Sequence, residues 1–272
     1  MPGKKEVIHT SIWQEIPARD DPYAAETCYC RGFDVYGDLL RHASWVDYLF
    51  LLFKGEPPTP EQHRLLELLA IGLANPGPRD HSVRAAMNAG VAGSTAASTL
   101  MAALAVGAGA LGGGQDVMHA VERWHRTGKD LEAWLHDIAS PDPRPTDIWP
   151  DFEHPPGFDP NRDHCSPAAL QFLQQLGTVA TAACVQWLDA NRVRLEAAAD
   201  AALSVSGIAA AAFADLEFDA PMAEMAYLLL RLPGAAAHGL EQREYGWRRY
   251  PFFSGQVTLH QSPPRAVEDH AD

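Results

Sequence analysis

Residues 85–115 read AAMNAGVAGSTAASTLMAALAVGAGALGGGQ, an unbroken stretch without one charged side chain. Its length would let it span a bilayer. Its content argues otherwise: Ala, Gly, Ser and Thr dominate, Leu is sparse, and Phe and Ile are absent. Small side chains add little transfer free energy per position, but they let helix backbones approach closely. The stretch is therefore read as a buried central helix over roughly Arg84–Ala110, or as a tight subunit contact, ending at Gly112-Gly113-Gly114. That glycine run lacks the spacing and the preceding strand of a dinucleotide fingerprint, and it has no P-loop lysine.

Working outward, helical signals recur and strand signals are nearly absent. Ser44-Trp45-Val46-Asp47 resembles a capping box and leads into Tyr48–Leu52, with Lys54-Gly55 as the stop. Thr59-Pro60-Glu61-Gln62 is a stronger start, followed by Leu65, Leu66, Leu68, Leu69 and Leu73 at helical spacing. Further helices are read over Gln115–Arg126, Asp130–Ile138, Ser166–Asp189, Arg194–Leu216 and Met222–Gln242. Pro141–Pro167 is proline-rich and aperiodic, a long loop of the kind that often carries function. No run of alternating β-branched and aromatic residues exceeds a few positions. The fold class is all-α.

Composition narrows the function. Apolar residues make up 47% of the 272 positions, enough for a sizeable core, and the formal net charge is −14. Such an acid excess repels nucleic acid and anionic membranes, so neither is expected as a partner. The four cysteines include Cys28-Tyr-Cys30, which lacks the two-residue spacer of a redox or zinc motif. No metal and no covalently bound cofactor is expected. The N-terminus shows charges and no apolar signal region, which points to the reducing cytoplasm.

Four polar residues stand out. His81 follows Asp80 at a helix entrance. His154 and Arg162 lie in the proline-rich loop. Arg231 sits inside an apolar helix between Ala226–Leu230 and Leu232–Ala237, where an unpaired guanidinium is costly. Either a carboxylate of the protein pairs with it or a ligand carboxylate does, a role for which the planar fork is suited.

Taken in order, several segments resemble the citrate synthase superfamily, in particular its short citryl-CoA lyase members and the C-terminal module of ATP-citrate lyase. They are Arg31-Gly32-Phe33-Asp34 through Asp38-Leu39, then His42-Ala43-Ser44, Gly55-Glu56-Pro57-Pro58-Thr59 and Asp80-His81. Next come Leu111-Gly112-Gly113-Gly114, Glu153-His154-Pro155, Asn161-Arg162 and Ser204-Val205-Ser206-Gly207. Arg231-Leu232-Pro233-Gly234, His238 with Glu241-Gln242, and Arg249-Tyr250-Pro251 complete the set. Order and approximate spacing hold from about residue 30 to 251.

The resemblance implies a large helical domain and a small helical domain with the active-site cleft between them. Residues 1–29 are then an N-terminal extension and 30–150 the first part of the large domain. Residues 151–225 hold the active-site loop and small domain, 226–255 the closing helix of the large domain, and 256–272 a flexible tail. The activity implied is making or cleaving the C–C bond between acetyl-CoA and a keto acid such as oxaloacetate. The partners implied are a polycarboxylate, a CoA thioester as substrate, and a second copy of the chain in a homodimer.

Carried over position by position, His154 and Ser206 fall on catalytic positions, and His81, Arg162, Arg231 and Arg249 on the substrate clamp. Two positions depart from the family. Leu111 replaces the enolate-binding His, as Phe does in the ATP-citrate lyase module. Ser206 replaces the catalytic carboxylate, and a serine is no general base at neutral pH without a partner. Three readings follow: a citryl-CoA lyase-like enzyme, a lyase with a relocated base, or a degenerate member that binds a polycarboxylate or acyl-CoA without ordinary synthase activity. On these grounds Arg231→Ala is expected to weaken citrate binding with the fold intact; Ser206→Asp is expected to restore the missing carboxylate where position 206 faces the thioester carbon, to give little gain or interfere where the base is relocated, and to destabilise where Ser206 only packs a helix turn.

Overall fold

The computed structural model describes residues 9–140 and 154–251. The tail read at 256–272 and the first half of the proline-rich loop lie outside them. The architecture is mostly helical, as expected, with two small sheets that the sequence did not announce. Strands β1 (Trp13–Pro17), β2 (Ala25–Cys30) and β3 (Phe33–Asp34) form an antiparallel sheet. The β2–β3 turn is Arg31-Gly32, both at positive φ (50° and 87°), the two-residue geometry whose twist matches paired strands. The Arg31 guanidinium donates to the Leu52 carbonyl at 3.2 Å, tying this corner to the next helix. Strand β1 is exposed along its whole length and β2 is buried only at Cys28 and Cys30, so no sustained apolar alternation marks them in the sequence.

A π-turn, Val35–Leu39, runs into α1 (Leu40–His42). Helix α2 (Trp45–Lys54) starts on the Ser44/Asp47 capping box and stops at Gly55, φ 83°. Helix α3 (Pro60–Leu73) starts on the Thr59/Gln62 box.

The long small-residue helix is instead two helices, α4 (His81–Val91) and α5 (Ala96–Gly107). Gly93 at φ 76° ends the first, and the Thr95 hydroxyl caps the second by accepting from the Ser98 N–H at 3.2 Å. Only one face of α5 is covered, since Met101 and Val106 stand in solvent. Small residues do serve close approach: a Cβ on Gly90 of α4 would overlap the carbonyl of Gly239 in the last long helix.

The chain continues through α6 (Gly114–Thr127), α7 (Leu131–Ala139), β4 (Phe158–Asp159), α8 (Pro167–Leu176), α9 (Ala183–Ala199), β5 (Ala202–Leu203), α10 (Val205–Asp215) and α11 (Ala220–Tyr245). The span Ser166–Asp189 is thus divided between α8 and α9, and α9 runs ten residues past the expected end. Asp215 accepts from the N–H groups of Cys184 (2.7 Å) and Val185 (3.0 Å), so a carboxylate from α10 caps α9. Among the described helices the enclosed run lies in α10, with Ile208 to Phe213 inaccessible to solvent. An apolar helix made largely of alanine fits there because its neighbours can close in from all sides. Within α11, Pro233 has no N–H, and the Gly234 N–H donates to the Ala74 carbonyl at 2.7 Å, fastening α11 to the end of α3. No helix among the described residues is long and apolar enough to cross a membrane.

Candidate functional site

Two helix N-termini and one strand end meet at a single carboxylate. Asp116 lies in the first turn of α6, just after the glycine run, and is 1% exposed. It accepts from the Gly157 N–H (2.8 Å), from the Gly112 N–H (3.2 Å) and from the Ser206 hydroxyl (2.5 Å). Ser206, also 1% exposed, occupies the first turn of α10, and its Oγ lies 2.6 Å from Ser204 Oγ. Ser204 is the half-buried N-cap of α10 and accepts from the Gly207 N–H at 3.2 Å.

The backbone around this point is packed too tightly for side chains. Gly157 takes φ 85°, and a Cβ on Gly207 would overlap its carbonyl oxygen. Strands β4 and β5 pair antiparallel, Phe158 with Leu203 and Asp159 with Ala202. The Ser204 N–H donates to the Gly157 carbonyl at 3.1 Å, which lays the His154 loop along the entrance of α10. Buried Glu196 accepts from the N–H groups of Cys165 (2.8 Å) and Leu203 (3.0 Å), tying β5 to the segment that leads into α8.

Burial pushes the Asp116 carboxyl above its ordinary range, opposed by the Ser206 and backbone hydrogen bonds and by the charge of His154. A native carboxyl that holds its proton to higher pH than the unfolded one makes stability fall as pH rises through the interval above the ordinary Asp value of 3.8. The positive ends of two helices act in the opposite direction and favour the anion.

A second cluster joins the first through Gly112. The Gly112 carbonyl accepts from Tyr227 Oη at 2.9 Å and from the Arg231 guanidinium at 3.2 Å. Arg231, 5% exposed, pairs with Asp80 and lies over the Tyr227 ring at 4.7 Å. Burial raises the Tyr227 hydroxyl to about 12, so it stays a donor. Of the two partners open to Arg231 on the sequence, the structure supplies the protein carboxylate. Asp80 in turn caps α4, accepting from the Ser82 N–H at 2.9 Å. Arg231 thus fastens α11 to α4 and to the glycine turn, so its removal does not leave the fold untouched.

The network brings together Arg231, Ser206 and the His154 loop. His154 is half-buried at the edge of that loop. Arg162 reaches the same strand pair by its backbone, its carbonyl accepting from the Ala202 N–H at 2.9 Å, while its guanidinium pairs with Asp159 at 3.2 Å. His81 is exposed at the first residue of α4, next to Asp80. Arg249 is exposed on a 3₁₀ turn, Trp247–Arg249, and takes no part in the hydrogen bonds of the network. Leu111, 37% exposed, precedes the glycine turn. No group of three His, Cys, Asp or Glu side chains that could hold a metal occurs among the described residues.

Sequence reading missed Asp116, Asp80 and Tyr227 as participants. A signal for the first existed: Asp116 shares its helical stripe with Ala120 and Trp124, which are buried, and a carboxylate on an apolar stripe calls for a partner.

Comparison with solved structures places this architecture. A structure of citryl-CoA lyase from Hydrogenobacter thermophilus superposes with a TM-score of 0.73 at 18% identity, covering 96% of this chain and 98% of that one. ATP citrate lyase from Methanothrix soehngenii, in complex with citrate and coenzyme A, gives 0.71 at 16% identity over 98% of this chain, which spans 44% of that one. Citrate synthase from Thermoplasma acidophilum, with carboxymethyl coenzyme A and oxaloacetate, gives 0.53 at 15% identity over 82% of this chain and 60% of that one. No family model matches the sequence, and no curated protein does. The chain has the citrate synthase-like fold.

Proposed function

We propose that this chain is a citryl-CoA lyase-like enzyme that cleaves, or in reverse forms, the C–C bond between the acetyl unit of a CoA thioester and a keto acid such as oxaloacetate. The observation that carries this reading is the continuous network from Arg231 through Gly112 and Asp116 to Ser206 and the His154 loop. It gathers a cation, a buried carboxyl and a half-buried imidazole in a fold whose solved examples include complexes with citrate and with CoA. In the cleavage direction His154 takes the proton of the substrate hydroxyl. Arg162, His81 and Arg249 are the exposed or half-exposed groups for substrate carboxylates. Arg231 reaches a substrate carboxylate only by sharing it with Asp80, so its main contribution is to hold the floor of the site. The test is purified protein with citryl-CoA, following loss of the thioester and release of oxaloacetate. Unchanged citryl-CoA together with calorimetric binding of citrate would establish the second reading, a binding protein without turnover, which Ser206 in place of a carboxylate favours.

The working unit we propose is a homodimer. Met225, Leu229 and Leu240 form an exposed stripe on α11, and Met101 and Val106 are exposed on the neighbouring α5. Apolar side chains grouped in this way mark an interface. Sedimentation at micromolar concentration should give twice the chain mass, and Leu229→Asp with Leu240→Asp should halve it. A wild-type monomer would overturn this arrangement. The free state of Cys28, Cys30, Cys165 and Cys184 suits the proposed cytoplasmic location.

A further inference from the structure

We infer that Asp116 is the proton store of this site, and that Ser206 and Ser204 form a hydroxyl relay leading outward from it. The inference rests on the proposed C–C cleavage and replaces the carboxylate that position 206 lacks. Three observations carry it. The side chains touch in sequence: Asp116 Oδ2 to Ser206 Oγ at 2.5 Å, and Ser206 Oγ to Ser204 Oγ at 2.6 Å. Access rises along the same line, from Asp116 and Ser206, each 1% exposed, to the half-buried Ser204. The donors to Asp116 named above are a hydroxyl and two backbone N–H groups, all neutral. A carboxyl buried in such company and held above its ordinary range is suited to storing a proton.

The step balances. In cleavage, His154 takes the hydroxyl proton, the C–C bond breaks, the keto acid carbonyl forms, and the electron pair passes into the thioester as an enolate. With Asp116 protonated, its hydroxyl donates to Ser206 Oγ and the Ser206 hydroxyl turns to Ser204 Oγ, a contact in which either oxygen can donate; the enolate carbon then takes the Ser204 hydroxyl proton while Ser204 takes that of Ser206, and Ser206 that of Asp116. Asp116 is left as the carboxylate and regains a proton from solvent as His154 loses one, so no net proton is consumed. Serine acts here only because a carboxyl backs it. Asp116 is a positioning and storage group acting through Ser206.

The experiment measures exchange of the acetyl protons of acetyl-CoA in deuterated buffer for the wild-type chain, Asp116→Asn, Ser206→Ala and Ser206→Thr. Thermal melting and calorimetric citrate binding are followed on each. Loss of proton transfer is worth about 10²–10⁴-fold, so Asp116→Asn and Ser206→Ala should lose that much exchange with citrate binding retained, and Ser206→Thr should recover most of it. The pH profile of exchange should lose one titration in Asp116→Asn. Among the described residues, the ionisable groups around Asp116 include His154 on its loop, Tyr227 on α11 with the paired Arg231 and Asp80 beyond it, and Glu224 of α11 beside Gly114. Should Asp116→Asn fail to fold, the contrast between Ser206→Ala and Ser206→Thr decides alone. A wild-type chain that neither cleaves citryl-CoA nor exchanges acetyl protons overturns the proposed activity and the relay with it. A wild type that does both, with Ser206→Ala within tenfold of its exchange rate, overturns the relay alone. So does a parallel loss of citrate binding, which would mark Asp116 and Ser206 as scaffold.

Discussion

Ser206→Asp is expected to destabilise the protein by about 3–5 kcal/mol, the usual cost of a buried charge without a counter-ion. The new carboxylate would enter a position 1% exposed, whose hydroxyl already lies 2.5 Å from the Asp116 carboxylate. Two carboxyls in contact do not both ionise; one must hold a proton or one charge stays buried and repelled. Of the outcomes the motif left open, restoration, interference or destabilisation, the contact with Asp116 favours the last. The reciprocal double variant, Ser206→Asp with Asp116→Ser, keeps one carboxyl and one hydroxyl in the same space. It should recover most of the lost stability, because coupling is strong between groups in direct contact. Urea midpoints of the two single variants and the double variant measure this. If Ser206→Asp is as stable as wild type and exchanges acetyl protons faster, position 206 faces substrate and Asp116 does not crowd it.

Arg231→Ala should cost about 3–5 kcal/mol as well, again by stranding a charge. Asp80 would lose its ion pair, and the Gly112 carbonyl one of its two side-chain donors. The cation over the Tyr227 ring would go too. The effect has a specific rescue. Arg231→Met fills the volume without charge, and Asp80→Asn removes the stranded anion while retaining a side chain that caps a helix as well as Asp does. The double variant should therefore be more stable than Arg231→Met alone. Denaturation showing Arg231→Ala well short of the expected cost of about 3–5 kcal/mol, within about 1 kcal/mol of wild type, would mean that the Asp80 pair contributes little and that Arg231 is held for a ligand. Citrate affinity measured on the same variants separates the two roles.

Local chemistry determined a good part of this protein from sequence alone. The starts of α2 and α3 were legible because a capping box needs only four adjacent residues, and both boxes form as read. The helical character followed from apolar periodicity, and the order of short motifs from Arg31 to Arg249 was enough to suggest the fold that the solved structures share. What stayed hidden depends on residues distant in the chain. The close approach of α4 to α11, where Gly90 meets the Gly239 carbonyl, is one such feature, which composition does not report. The partner of Arg231 lies 151 positions away at Asp80, and Asp116 meets Ser206 across 90 positions. Such pairs obey no local period, and their chemistry comes from burial, which raises the Asp116 carboxyl and makes an ordinary serine its neighbour. The sequence determined which residue types the site would have to use; only tertiary structure decided which carboxyl stands beside Ser206, because only folding removes both from water together.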